Sequence, residues 1–219
     1  MEPTEENRRA WDAAHRLRPE GPGGLGIPDQ IRELLPDVAG KHVLHLQCGT
    51  GESTAQLVEL GALVSAVDLS AEALELARDR APDVAYVHAD VHDLPLELRR
   101  GRFDLVYTGG GVLPHLHDLD AWTSGVASAL KPGGRLLLYD THPVSSCVDP
   151  LGHWRDDYFD ARDDTAERHW QLGEILAALT RSGLRLTRLE EFKTLYNWLQ
   201  RDRRIPWDFA LIAEKGTEG

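Results

Sequence analysis

Apolar positions along the chain fall into two alternating rhythms. Residues 41–47 form a short apolar run bounded by Gly40 and Gly49, which predicts a buried strand. Residues 63–67, 84–88, 103–108 and 135–139 repeat that signature. Between them, residues 53–60, 71–80 and 119–130 carry helical patterns. Ser53 and Gln56 have capping-box spacing, which sets the start of the first helix near Ser53. Ser70 stands as the N-cap of the second. Pro132-Gly133-Gly134 stops the third. Strands alternating with helices predict an α/β, doubly wound sheet, mostly parallel and covered on both faces.

The flanks have other patterns. Residues 4–18 read as a helix with Trp11 as its largest apolar residue, ended by the Pro- and Gly-rich residues 18–26. Residues 28–35 read as a short helix with Pro28 at its start. Residues 141–169 break the rhythm with Asp, His, Arg and aromatic residues, and read as an insertion. A helix at 172–180 ends near Ser182-Gly183. Strands at 184–192 and 209–213 then flank a long connection that includes Tyr196-Asn197-Trp198 and Ile205-Pro206-Trp207.

Composition narrows the possible partners. The chain has 219 residues, of which 42% are hydrophobic, and a net charge of −12. That charge argues against a phosphate backbone or an anionic membrane as the main partner and leaves a small molecule. No apolar run approaches the ~20 residues of a membrane span, and the acidic N-terminus does not read as a signal peptide. Two cysteines, Cys48 and Cys147, give no disulfide framework, so a cytoplasmic location is expected.

Candidate chemistry gathers at the carboxyl ends of the expected strands. After the first strand, Gly49 and Gly51 let the backbone turn sharply and approach a ligand, and the next helix offers free N–H groups. Asp68 ends the second strand, beside that turn, where a carboxylate can accept both hydroxyl protons of a ribose. Asp90 follows the third strand and suits an exocyclic adenine amine, with Val91 and Leu94 against the ring. Gly109, Gly110 and Gly111 after the fourth strand allow close backbone approach. His115 and His117 have no clear third ligand, so no metal is expected.

Residues 43–51 (VLHLQCGTG) resemble the first motif of class I S-adenosylmethionine-dependent methyltransferases. Asp68 is similar to that family's ribose acid and Asp90-Val91 to its adenine motif. Residues 103–107 resemble its fourth strand, and residues 130–134 the turn before its fifth. The resemblance covers residues 41–139 and continues more weakly to Lys215. It implies seven strands in the order 3-2-1-4-5-7-6 with the last antiparallel, and S-adenosylmethionine as cofactor with S-adenosylhomocysteine as product. The implied cofactor residues are His45, Gln47, Cys48, Gly49, Gly51 and Thr54 around the first turn. Asp68, Leu69, Asp90, Val91, Thr108, Gly109 and Gly110 follow along the sheet edge. Two positions depart from the family: His45 replaces its usual acid and Gln47 its usual glycine. This variant spelling is similar to a bacterial subfamily of small methyltransferases.

The rival reading is a nicotinamide-dependent oxidoreductase. Its fingerprint places a third glycine where this chain has Thr54. A macromolecule methyltransferase and a non-catalytic S-adenosylmethionine-binding protein are further alternatives. Methyl transfer needs alignment of the acceptor and, for some acceptors, removal of a proton. His142 follows the fifth strand and is the first candidate base, with Tyr158 and His169 in the insertion as further catalytic candidates. An oxygen or nitrogen acceptor on a small molecule is expected. The chain is expected to be a single domain, monomeric or homodimeric. Residues 1–40 would form a helical lid, 41–140 the cofactor core, 141–170 a substrate lid, and 171–219 the closing helix and strand pair.

Overall fold

The structure, a computed structural model, describes residues 3–17, 26–160, 168–195 and 201–217. The expected break at 18–25, part of the insertion, and Tyr196-Asn197-Trp198 lie outside the described residues. One seven-stranded sheet organises the chain. It contains β1 (His42–Leu46), β2 (Leu63–Asp68), β3 (Ala85–His88), β4 (Phe103–Gly109), β5 (Leu130–Thr141), β6 (Leu184–Phe192) and β7 (Asp208–Lys215). The order is β3-β2-β1-β4-β5-β7-β6, with β7 antiparallel to both neighbours, as the sequence implied.

Among the described residues, six α-helices accompany the sheet: α1 (Pro3–Leu17), α2 (Asp29–Leu34), α3 (Glu52–Glu59), α4 (Ala71–Arg80), α5 (Leu119–Ala129) and α6 (Leu172–Arg181). The central strands bury both faces, so their sequences read as continuous apolar runs. Successive residues of β5 serve opposite layers. Leu136 and Leu138 pack with Trp122, Val126 and Ile175 beneath α5 and α6. Leu137 and Tyr139 pack with Ile31, Leu57 and Leu74 beneath α2, α3 and α4.

Local punctuation differs from the expectation at several points. α3 begins at Glu52, and its N-cap is Gly51 at φ +86° with no side-chain cap. Ser53 therefore lies inside the helix, because the glycine's left-handed turn delivers the chain into it one residue sooner. At α4, Ser70 caps as expected, accepting from Ala73 N–H. β5 begins at Leu130, so Pro132-Gly133-Gly134 sits within the strand, where its register with β4 shifts between Phe103 and Leu105. Among the described residues of the insertion are a short helical turn at Pro143–Cys147 and a Val148–Trp154 bridge.

Candidate functional site

A cavity of about 450 Å³ opens at the carboxyl edge of β1, β2, β4 and β5. Of the residues expected at a cofactor, it gathers His45, Gln47, Cys48, Gly49, Asp68, Leu69, Asp90, Val91, Gly109 and Gly110. Gly51, Thr54 and Thr108 lie outside its lining and support it from behind. A Cβ at Gly51 would stand 2.8 Å from the Ala77 side chain, so this glycine lets α3 and α4 meet. Thr54 is fully buried, and its hydroxyl lies 2.8 Å from His45 Nδ1.

The first turn is held from two sides. Asp68 accepts the N–H of Gly49 through one carboxylate oxygen and that of Ser70 through the other, each at 2.8 Å. Burial raises the Asp68 pKa, and the two N–H groups act against that rise. With one bond on each oxygen, lone pairs remain for ligand hydroxyls. Gln47 is the one non-glycine described residue with positive φ, at +53°. Its side chain ties the turn to β4, accepting from the Thr108 hydroxyl at 3.2 Å and donating to Val112 O at 3.3 Å. His45 lies beneath, edge-on to Tyr107, and burial lowers its pKa to about 3. The imidazole is thus neutral at physiological pH, where the resembling family carries an acid. Burial raises the Cys48 thiol well above its ordinary value, which keeps it protonated and poorly nucleophilic.

Asp90 is more occupied than its sequence position suggested. One oxygen accepts both the backbone N–H and Nδ1 of His92, at 2.9 and 2.6 Å, and the other accepts the Thr4 hydroxyl at 2.8 Å. Burial opposes its ionisation, yet His92 and Thr4 hold the carboxyl well below the usual range. His92 stacks on His117 with centroids 3.8 Å apart, and both rings line the cavity.

α1 covers the opening. Thr4, Asn7, Trp11 and His15 line the cavity. Asn7 donates to His115 O at 3.0 Å, and the Ser70 hydroxyl donates to Asp12 at 2.7 Å. Trp11 stacks on His15 and meets His115 edge-on.

Sequence reasoning missed Asp140, which lines the cavity at the end of β5. It accepts from the N–H groups of Gly111, Val112, Leu113 and Thr141 at 2.7–2.8 Å and so shapes the glycine loop after β4. Burial raises its pKa to about 6, against the pull of those four donors. The signal was present: Asp140, like Asp68, is an acid at a strand's carboxyl end. Gly109 has the least freedom of the three glycines, since a Cβ there would fall 2.1 Å from Tyr139 O.

The three catalytic candidates stand outside this cavity. His142 is 5% exposed and caps the Pro143–Cys147 turn, its Nδ1 accepting the Val144 N–H. Its Nε2 lies 3.0 Å from Glu191, and burial lowers its pKa. Tyr158 accepts from Leu172 N–H at 3.2 Å, and its ring meets His169 edge-on. His169 Nε2 lies 3.7 Å from Cys147 Sγ. Of residues 141–170, only Thr141 among those described reaches the cavity wall. Leu195, Arg201 and Asp208 complete that end. Among the described residues, no group of three His, Cys, Asp or Glu side chains is placed to hold a metal.

Comparison with known proteins agrees with this geometry. Residues 43–134 match the family described as a methyltransferase domain. A demethylmenaquinone methyltransferase of Clavibacter sepedonicus is 37% identical over 64% of this chain and 58% of its own length. A ubiquinone biosynthesis O-methyltransferase of Xanthomonas oryzae pv. oryzae is 39% identical over 59% of this chain and 55% of its own. The chain thus spans little more than half the length of these curated relatives. The crystal structure of an S-adenosylmethionine dependent methyltransferase from Mesorhizobium loti is 29% identical, with a TM-score of 0.70, over 85% of this chain and 96% of that one.

Proposed function

We propose, taking the chain as one with the fold and core of a class I methyltransferase, that it transfers a methyl group from S-adenosylmethionine to an oxygen or nitrogen of a small-molecule acceptor. Asp68 carries the reading. Its carboxylate braces the glycine turn through Gly49 N–H and keeps acceptor capacity for a pair of ribose hydroxyls. The cavity also suits the cofactor where the chain must come closest, because a Cβ built on Gly49 meets nothing within 4 Å. A nicotinamide cofactor has no comparable support, since Thr54 replaces its third glycine and is buried against His45.

In this reading the cofactor supplies an activated methyl group, and the protein aligns an acceptor with it. Asp68 takes the ribose, and Val91 and Leu69 flank the base. The neutral His45 supports the amino-acid end from below, without the charge an acid would bring. α1 closes over the cofactor, while Thr141, Leu195, Arg201 and Asp208 face the acceptor. His142 receives no proton-transfer role, because it caps a turn away from the cavity. The O-methyltransferase name of the Xanthomonas relative supports an oxygen acceptor. The net charge of −12 favours a small molecule over nucleic acid, and Cys48 and Cys147, neither of them in a disulfide, suit a reducing, cytoplasmic setting.

Calorimetry with S-adenosylmethionine and S-adenosylhomocysteine tests the reading. Wild type binds both, and Asp68→Ala weakens binding about a hundredfold, the scale of two hydrogen bonds to a charged group. Failure of either cofactor form to bind wild type sinks the proposal. Binding with no methyl transfer across an acceptor panel would leave a cofactor-binding protein in its place.

A further inference from the structure

Among the described residues, the acceptor end of the cavity holds one permanent cation. Among the described lining residues, Arg201 is the single Lys or Arg, in a chain of net charge −12. The lining carboxylates already have partners of their own. Glu52 pairs with Arg80 at 2.7 Å, and Asp68 and Asp140 accept backbone N–H groups. Asp90 is held by His92, and Asp208 accepts the Leu195 N–H at 2.8 Å.

Arg201 is positioned without being saturated. Its guanidinium lies over the Trp207 ring, 4.7 Å from the centroid, and Trp207 is in turn anchored by donating to Asp202 O at 2.7 Å. Its Nη1 is enclosed and, among the described residues, has no hydrogen-bond acceptor. Among the described residues, Asp208 is its nearest carboxylate, at 4.0 Å, which offsets charge but is too long for a hydrogen bond. Nη1 itself is closed off, but the side chain as a whole is 24% exposed and lines the cavity, which puts its charge within reach of an anion entering there. Asp68 and Asp208 stand on β2 and β7, with β1, β4 and β5 between them, so Arg201 lies at the far end of the cavity from the ribose acid.

We propose that Arg201 binds a carboxylate of the methyl acceptor, so that the substrate is a small organic acid. The inference rests on the methyltransferase reading and narrows its acceptor class. A planar guanidinium stacked on an indole presents its N–H groups in a fixed fork, the geometry that matches a carboxylate. An acid entering a cavity lined with carboxylates gains from this cation, and a neutral amide of the same shape leaves the guanidinium without a charged partner.

The test uses the full chain saturated with S-adenosylhomocysteine, titrated with benzoate, phenylacetate and hexanoate, each beside its amide. At least one acid binds about tenfold or more tightly than its amide, and added salt narrows the difference. Arg201→Met abolishes that preference, and Arg201→Lys restores part of it. In both variants S-adenosylhomocysteine binds as in wild type. If no acid is preferred over its amide, or if Arg201→Met leaves the preference intact, the proposal fails and the cofactor reading stands. If Arg201→Met instead weakens S-adenosylhomocysteine itself, Arg201 holds the cofactor's own carboxylate and the proposal also fails. Wild type that binds no S-adenosylhomocysteine would overturn the methyltransferase reading first.

Discussion

Gln47 shows how one residue can be strained and useful at once. A left-handed φ of +53° disfavours any residue with a Cβ, by about 1–2 kcal/mol. The amide offsets that cost by joining the turn after β1 to β4 at Thr108 and to the following loop at Val112. Gln47→Ala keeps the strain and loses both bonds. Gln47→Gly loses the bonds but sheds the strain. The glycine variant is therefore expected to be more stable than the alanine variant by about 1 kcal/mol, against the usual order of these residues. Urea denaturation of the pair decides it, and an alanine variant of equal or greater stability would remove the strain argument. The sequence marked position 47 as a departure from the glycine of the resembling family, and a spacing argument reaches no further. The partners that make glutamine tolerable lie 61 and 65 residues away and exist only once β4 is in place. The same limit applies to Asp140, whose four backbone donors come from a loop and a strand that meet only in the fold, and to His142, whose turn-capping role depends on the bend at Pro143.

Among the elements, α1 contributes most to the site for its size. It is bound over the cavity by Thr4, Asn7 and Asp12, and it brings Trp11 into the lining. Trp11→Ala removes an aromatic wall, a change that costs about 1–3 kcal/mol at a ligand contact. S-adenosylhomocysteine affinity is expected to fall about tenfold, with thermal stability nearly unchanged because the ring is not part of either core layer. Calorimetry and a melting curve measure the two separately, and an unaltered affinity would show that α1 only packs. The elements were largely legible in the sequence because buried parallel strands and amphipathic helices have distinct periods. α4 has the predicted boundaries. Misreadings clustered at glycines. Gly51 starts α3 by backbone geometry, so the Ser53 spacing that resembled a capping box had no role. Pro132-Gly133-Gly134 looked like a stop between helix and strand, but pairing of Leu130 with Phe103 draws it into β5.

At the scale of the whole molecule, two buried groups set opposing acid responses. His45 titrates at about 3 in the folded chain and 6.5 when unfolded, so the unfolded state takes the extra proton between those values. Stability therefore falls as pH drops through that window, by about 1.4 kcal/mol per unit. Asp140 titrates at about 6 folded and 3.8 unfolded, so there the folded state takes the extra proton. Its contribution rises as pH drops from 6 to 4, at the same slope with opposite sign. The two offset each other across that interval. His45→Phe removes one of them, and its destabilisation relative to wild type is expected to shrink by about 1.4 kcal/mol per unit between pH 6 and 4. Denaturant titrations at three pH values test this, and a destabilisation independent of pH would mean that His45 is charged or solvated when folded. The ends of the sheet set another whole-molecule property. β6 closes one end with the charged Arg185, Arg188 and Glu191 exposed beside Leu186 and Thr187, and β3 closes the other with only four residues. A second chain that tried to extend the sheet at β6 would have to strip water from these charges, and at β3 it would find too short a template. The hydrogen-bonding edges left open by an unclosed sheet are thereby guarded against fibre-like stacking, so crowded solutions of the folded protein should stay clear.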